Sequence, residues 1–260
     1  MNRLLFSRRF AVAVAGGLLL SLGTGTHANA AEIKVLTSVA LTSALNELAP
    51  KFEQATGNKL DIGYSLIADI RKRMMAGETA DVIILSRPVM DELAKQDKFA
   101  SDSIVDIAGT AVALAVRAGA PKPDINTVDA LKQTLLNAKS IVYADPAKGG
   151  AAGVYFAHVV DRLGIADQLK SKTILVPGAQ AADMVASGEA EIGVGQTSEI
   201  VPVAGAQVLG PLPGEFASTT VFTGGIGASS KDPDAAKSLM QFLGGPIAKP
   251  VLSAKGFQPG

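Results

Sequence analysis

The chain has 260 residues, 48% of them hydrophobic and 18% charged, and its 24 basic and 24 acidic side chains cancel. Such a composition supplies apolar material for packed cores and excludes a disordered chain. The absence of cysteine excludes disulfides, thiolate metal sites and cysteine nucleophiles, and the length fits one large domain or two modest ones.

The first thirty residues read as a secretory signal peptide. Arg3, Arg8 and Arg9 precede the apolar run FAVAVAGGLLLSLG, and small residues at Ala28 and Ala30 place cleavage after Ala30. Gly16 and Gly17 interrupt the run, which is short of the roughly 20 apolar residues a membrane helix needs, so the chain is expected not to span a membrane after cleavage. SRRFAVA resembles a twin-arginine export signal, although Phe10 follows Arg9 with no intervening residue; ordinary Sec export is the other route. Either route implies a periplasmic protein.

Removing residues 1–30 takes away three arginines and no acid, leaving 21 basic against 24 acidic groups and a net charge near −3. With no basic run either, nucleic acid is an unsuitable partner. His27 leaves with the signal, so His158 is the remaining histidine. A histidine metal cluster is thereby excluded, and a Ser-His-Asp site could use only His158. No metal and no cofactor are expected.

Beyond residue 30, short β runs alternate with amphipathic helices. EIKVL predicts a strand, and Leu41, Leu45, Leu48 and Phe52 fall at helical spacing up to a stop at Gly57, with a kink or break expected at Pro50. KLDIGYS alternates as a strand, IADIRKRMMAG is helical and DVIIL is an apolar strand. This β-α-β-α-β order implies a mainly parallel sheet covered by helices. After TAVALAVRAG and a proline-rich turn a second series follows: helix TVDALKQTLLNA, strand SIVYA, a small-residue loop with a helix starting near Gly153, strand TILV, a helix through Met184 and Val185, and strand EIGVG. TTVFTGGIGAS is again a β run, and PDAAKSLMQFLGG a helix with Ala235, Leu239 and Phe242 on one face. The reading is α/β with a leader at 1–30, one lobe at 31–112 plus 218–260 and another at 113–217. Two β crossings, near Val112–Val116 and Thr219–Ile226, join the lobes around an interlobe ligand cleft.

Ligands of open α/β sheets sit beyond the carboxyl ends of strands, where helix N–H groups point outward and suit anions. The loop DPAKGGAAG after SIVYA fits that place, with small residues permitting close backbone approach; its glycines could equally serve only turns. Thr37 and Ser38 end the first strand before a helix, as caps, as ligand contacts or as both.

The stretches IKVLTSVALTSALNELAPKFEQATG, IRKRMMAGETADVIILS, DPAKGGAAGVY and GEAEIGVGQTSEI, in this order and spacing, resemble periplasmic solute-binding proteins of the molybdate-binding type, the receptors of ABC importers. The resemblance covers nearly the whole mature chain. It implies a two-lobed periplasmic binding protein type II fold, two mainly parallel sheets flanked by helices that close on a small anion, and as partners a small-molecule carboxylate ligand and, for a transport receptor, an ABC permease. It departs where molybdate binders place serines and this chain has Ala40, Leu66 and Ile67, and where they place a tyrosine and this chain has Gln196. A small enclosed oxyanion needs a dense ring of short donors, so these losses argue against molybdate. The remaining set, Thr37, Ser38, Tyr64, Ser65, Ala151, Ala152, Tyr155, Gln196 and Thr197, is roomier and suits a small carboxylate. Lys148, Arg71 and Arg87 are candidate cationic partners, with a solvated surface charge as the alternative for each.

The branch with these departures also resembles the periplasmic aconitate isomerases, enzymes on the same fold. That implies a tricarboxylate substrate and a proton shift across an allylic system, with an acid, a base and donors for the developing charge. Tyr64, Tyr155, Lys148 and His158 are the groups that could shuttle the proton; His158 could equally be a packed or surface residue. A monomeric protein, enzyme or receptor, is expected.

Overall fold

The computed structural model describes residues 30–260; the expected signal peptide lies outside these residues, apart from Ala30 at its end. In chain order the elements are β1 (Glu32–Ser38), α1 (Thr42–Thr56), β2 (Lys59–Ser65), α2 (Ile67–Met75), β3 (Val82–Ser86), α3 (Arg87–Ala94) and β4 (Val105–Arg117). There follow α4 (Val128–Asn137), β5 (Ile141–Ala144), α5 (Ala151–Arg162), α6 (Ala166–Leu169), β6 (Thr173–Val176), α7 (Ala181–Ser187), β7 (Ile192–Gln196) and α8 (Thr197–Ile200). The chain ends with β8 (Ala206–Pro211), β9 (Thr219–Ile226), α9 (Pro233–Leu243), α10 (Ala248–Ala254) and β10 (Gln258–Pro259). Among the described residues no helix is long and apolar enough to cross a membrane.

The strands follow one path, β2-β1-β3-β9-β4-β7-β5-β6, with β8 and β10 also paired to β4. Pairing is parallel within β2-β1-β3 and within β7-β5-β6, where each strand feeds a helix that covers the sheet. It is antiparallel wherever the connecting strands β4 and β9 take part. The helix-strand alternation legible in the sequence therefore describes the flanks, and the centre of the path runs the other way.

Two apolar cores flank this centre. One gathers Ile33, Val35, Leu48, Phe52, Ile83, Met90, Phe222 and Leu239; the other gathers Val112, Leu114, Leu131, Leu135, Phe156, Ile192 and Phe216. Edge-to-face pairs Phe52–Phe242 (5.4 Å) and Tyr143–Phe156 (5.1 Å) anchor each, and truncating Phe52 or Phe156 to Ala costs about 3–5 kcal/mol. The first core spans residues 33–108 and 222–257, the second residues 112–216.

β4 belongs to both halves. Val105–Ala111 pairs with β9, and from Val112 onward the strand pairs with β7 and β8. The second crossing was expected at Thr219–Ile226. Those residues are β9, paired on both sides within the first lobe, and the chain returns just before it. The two connections meet at Val112, whose amide donates to Ser218 O (3.0 Å) and whose carbonyl accepts from Leu212 N (3.1 Å).

Helix α1 runs through Pro50, where a kink or break was expected. Pro50 and Asn46 are exposed, so water can reach the Asn46 carbonyl that loses its helical donor, while Leu45, Leu48 and Phe52 bury the opposite face. Helix α5 begins two residues earlier than Gly153, after a tight turn at Pro146–Lys148 that the Asp145 carboxylate caps by accepting from Ala147 N (2.9 Å).

Candidate functional site

The carboxyl ends of β1 and β2 face the second lobe across a cleft of about 710 Å³. On the first-lobe side its wall is Val39 just ahead of α1, Thr42, Ser43 and Asn46 in its first turns, Tyr64 and Ser65 at the end of β2, and Leu66 between β2 and α2. On the second-lobe side it is the turn 177–180 ahead of α7, Asp183, and then Ser198, Glu199, Pro202 and Val203 in and after α8. Both walls are thus built where parallel strands end and helices begin.

Helices α2 and α5 start without a side-chain cap, whereas α1 continues a tight turn at Val39–Leu41 that Ser38 caps. The first intrahelical bond of α2 is Ile70 N to Leu66 O (3.1 Å), and that of α5 is Val154 N to Gly150 O (3.0 Å), so the preceding amides lack helical acceptors. Helix starts of this kind carry partial positive charge and favour anions.

Parallel register sets Thr37 beside Tyr64 and Ser38 beside Ser65, bringing four expected residues together at one end of two strands. Tyr64 donates its hydroxyl to Asn46 Oδ1 (3.0 Å), and burial pushes its pKa up to about 12, so it stays protonated and acts as a donor. Ser65 donates to Asp69 Oδ2 (2.5 Å). Ser38 is buried and its Oγ accepts from Ala40 N (3.3 Å), while Thr37 is fully buried with an Oγ1 that has no partner.

Gln196 and Thr197 lie at the seam between the lobes. Gln196 Nε2 donates to Thr220 Oγ1 (2.8 Å) on β9. Thr197 Oγ1 lies 2.7 Å from both Thr110 Oγ1 and Gly256 O. Because a carbonyl only accepts, Thr197 donates to Gly256 and accepts from Thr110, which in turn accepts from Ser198 N (3.1 Å).

Of the expected residues only Tyr64 and Ser65 line the cleft; Thr37, Ser38, Gln196 and Thr197 lie behind its wall, and the others stand away from it. Ala151 packs against the first core and Ala152 into the second. Tyr155 lays its ring on the second core and donates to Phe216 O (3.1 Å). Lys148 and His158 are exposed. Arg71 is held by Glu92 (Nε to Oε2, 2.7 Å), and Arg87 by Asp91 (3.0 Å) and Asp106 (2.9 Å). Of the candidate proton shuttles, Tyr64 alone forms part of the cleft wall.

The glycines of the loop after β5 are needed for close approach. A Cβ on Gly149, whose φ is +76°, would come within 2.3 Å of the Ala68 methyl on α2, and one on Gly153 within 2.0 Å of Ala144 O. The loop thus lies against the first lobe, with Leu66 between it and the cleft: a Cβ on Gly150 would stand 3.8 Å from Leu66 Cδ2.

The wall also contains residues the sequence reading passed over: Asn46, Asp183, Ser198 and Glu199. Ser198 is 2% exposed and its hydroxyl has no partner, an arrangement that asks for a ligand or water. Half-buried Glu199 accepts Gln196 N–H on Oε2 (3.0 Å), and burial pushes its carboxyl pKa up. The reciprocal approach of the Gln196 side chain to the Glu199 amide has the layout of a capping box but falls outside hydrogen-bond geometry, leaving Gln196 Oε1 unpartnered. That Q-x-x-E spacing was the available sequence signal. No Lys or Arg is among the residues that line the cleft, whose ionisable groups are Tyr64, Asp183 and Glu199.

Two packed lobes with a cleft between them, walled where parallel strands end and helices begin, define a binding-protein architecture. Residues 33–258 match the family model described as bacterial extracellular solute-binding protein, and the chain belongs to that family. It is 35% identical over 233 residues to an aconitate isomerase of Pseudomonas sp, covering 87% of each chain. It is 28% identical over 258 residues to the molybdate-binding protein of Azotobacter vinelandii, covering 96% of each. The structure of the Azotobacter vinelandii periplasmic molybdate-binding protein superposes with a TM-score of 0.72 at 21% identity, covering 86% of this chain and 98% of that one, a likeness of fold.

Proposed function

We propose that this chain is a periplasmic, monomeric enzyme that binds a small polycarboxylate between its lobes and interconverts cis- and trans-aconitate. The observation that carries the reading is the 35% identity to an aconitate isomerase over 87% of both chains. The cleft chemistry supports it. Hydroxyls of Ser43 and Ser198, the Asn46 amide and the uncapped start of α2 are neutral donors spread over a long wall, which suits several separated carboxylates better than one compact oxyanion. Leu66, where the resemblance implies a serine in molybdate binders, puts methyl groups beside the loop after β5 and moves the polar surface toward α1 and the turn 177–180.

In this reading donors without fixed cations hold the substrate loosely enough to release product. The protein reaches the periplasm through the signal peptide at 1–30, by the Sec or the twin-arginine route. A second reading, a receptor that passes its anion to an ABC permease, is favoured by membership of the solute-binding family. Proton NMR of the purified protein with each aconitate isomer decides between them. Interconversion supports the isomerase, binding without turnover the receptor, and a thermal shift with molybdate alone would overturn both carboxylate readings.

A further inference from the structure

We propose that Glu199 is the catalytic acid–base of the cleft, taking a proton from one allylic carbon of the bound polycarboxylate and returning it to the other. The assignment rests on the isomerase reading.

Three observations converge on this residue. Glu199 lines the cleft across from the wall that carries Tyr64 and Asn46. Its Oε2 is fixed by the Gln196 amide at 3.0 Å, and among the described residues its Oε1 takes no protein hydrogen bond, so one carboxyl oxygen is anchored and the other is available. Burial raises its basicity, whereas Asp183 on the same wall is exposed and Tyr64 is held protonated near 12. A carbon acid needs a base stronger than an ordinary carboxylate, and desolvation supplies one.

The step balances without a co-reactant. The Glu199 carboxylate removes a proton from the substrate methylene. The C–H electron pair then delocalises over the three-carbon unit and its carboxylate, where donors such as the unpartnered Ser198 hydroxyl stabilise the developing charge. Glu199 returns the proton to the former vinyl carbon. The double bond has moved by one carbon, and its geometry is set by the conformer in which the cleft holds the old single bond. One carboxyl suffices because both carbons belong to one short unit.

The test follows cis- and trans-aconitate with the full chain in deuterated water by proton NMR, for the wild-type protein and Glu199→Gln. Glutamine keeps the length and an oxygen acceptor for the Gln196 amide, so the start of α8 is preserved. Glu199→Gln is expected to lose at least about 100-fold in interconversion and deuterium exchange, with affinity for trans-aconitate, read by thermal shift, changed by less than about threefold. A Glu199→Gln protein that turns over as fast as wild type overturns the assignment and leaves the isomerase reading intact. Loss of affinity in step with turnover also overturns it, because Glu199 then only holds ligand. A wild-type protein that binds both isomers and converts neither overturns the isomerase reading itself. Glu199→Asp, which keeps the charge and shortens the reach, provides the second variant: turnover falling with affinity retained supports the assignment, and unchanged turnover overturns it.

Discussion

Thr110 and Thr197 share a hydroxyl–hydroxyl hydrogen bond of 2.7 Å across the seam where β4 leaves one lobe for the other. The bond is the middle link of a relay running from Ser198 N–H through both hydroxyls to Gly256 O, and so ties α8 to the end of α10. Thr197→Val keeps the volume and strands two polar atoms. The expected cost is about 1–2 kcal/mol, a fall of roughly 2–8 °C in Tm for a protein of this size, read by calorimetry.

Gly149 against Ala68 tests the other interlobe contact. Gly149→Ala introduces a side chain at positive φ, worth about 1–2 kcal/mol, and drives a methyl into Ala68. In a double-mutant cycle Ala68→Gly should recover the steric part and leave the backbone part, so the two changes will not add. Full additivity in thermal unfolding would show that the two residues do not touch.

Ser198→Ala tests the binding wall. The hydroxyl is buried and unpartnered, so its removal should leave Tm without ligand unchanged or slightly raised. A hydrogen bond to a charged ligand contributes about 1.5–3 kcal/mol, so affinity for trans-aconitate should fall at least about tenfold. Arg71→Gln, which breaks only the pair with Glu92, should leave that affinity unchanged.

The pH dependence of stability has opposite signs at two glutamates. Burial raises the folded-state pKa of Glu199 above its unfolded value of 4.5, so the protonated form favours folding. Its contribution is full below pH 4.5 and is lost as pH rises through the folded value. Glu199→Gln should therefore raise Tm at neutral pH, with the gap closing near pH 4. Glu78 is held near a pKa of about 2 by hydrogen bonds from Arg73 and Lys34, so its contribution is present above pH 4.5 and is lost as pH falls toward 2. Glu78→Gln should lower stability at pH 7 by about 1 kcal/mol, the scale of partly exposed pairs, and converge with wild type in acid. Equal Tm offsets across pH 2–7 would refute both signs.

The alternation of short apolar strands with amphipathic helices made the two-lobed α/β fold legible, because burial of one helix stripe and of both strand faces leaves distinct periods in sequence. Tyr64 and Ser65 were legible as cleft-wall residues because strand ends before helices are where such sheets bind; parallel register sets Thr37 and Ser38 beside them, but both are buried behind the wall. The second-lobe wall was harder. Ser198 and Glu199 sit in a helix of four residues, too short to show a period, and only the tertiary approach of α8 to the start of α1 makes them cleft residues. Tyr155 shows the converse. It follows the loop after β5 closely, yet its hydroxyl is taken by Phe216 O, a partner 61 residues away that no local pattern reveals.

The place of β9 in the path bears on how the molecule comes to be made. This strand lies between β3 and β4, at the centre of the first lobe, but is formed by Thr219–Ile226, after the whole second core has been synthesised. A nascent chain can assemble residues 112–216 while the amino-terminal sheet still lacks its middle member. Late acquisition of β9, α9 and α10 keeps that half open until nearly the last residue has emerged, so the second core can pack before the first is complete.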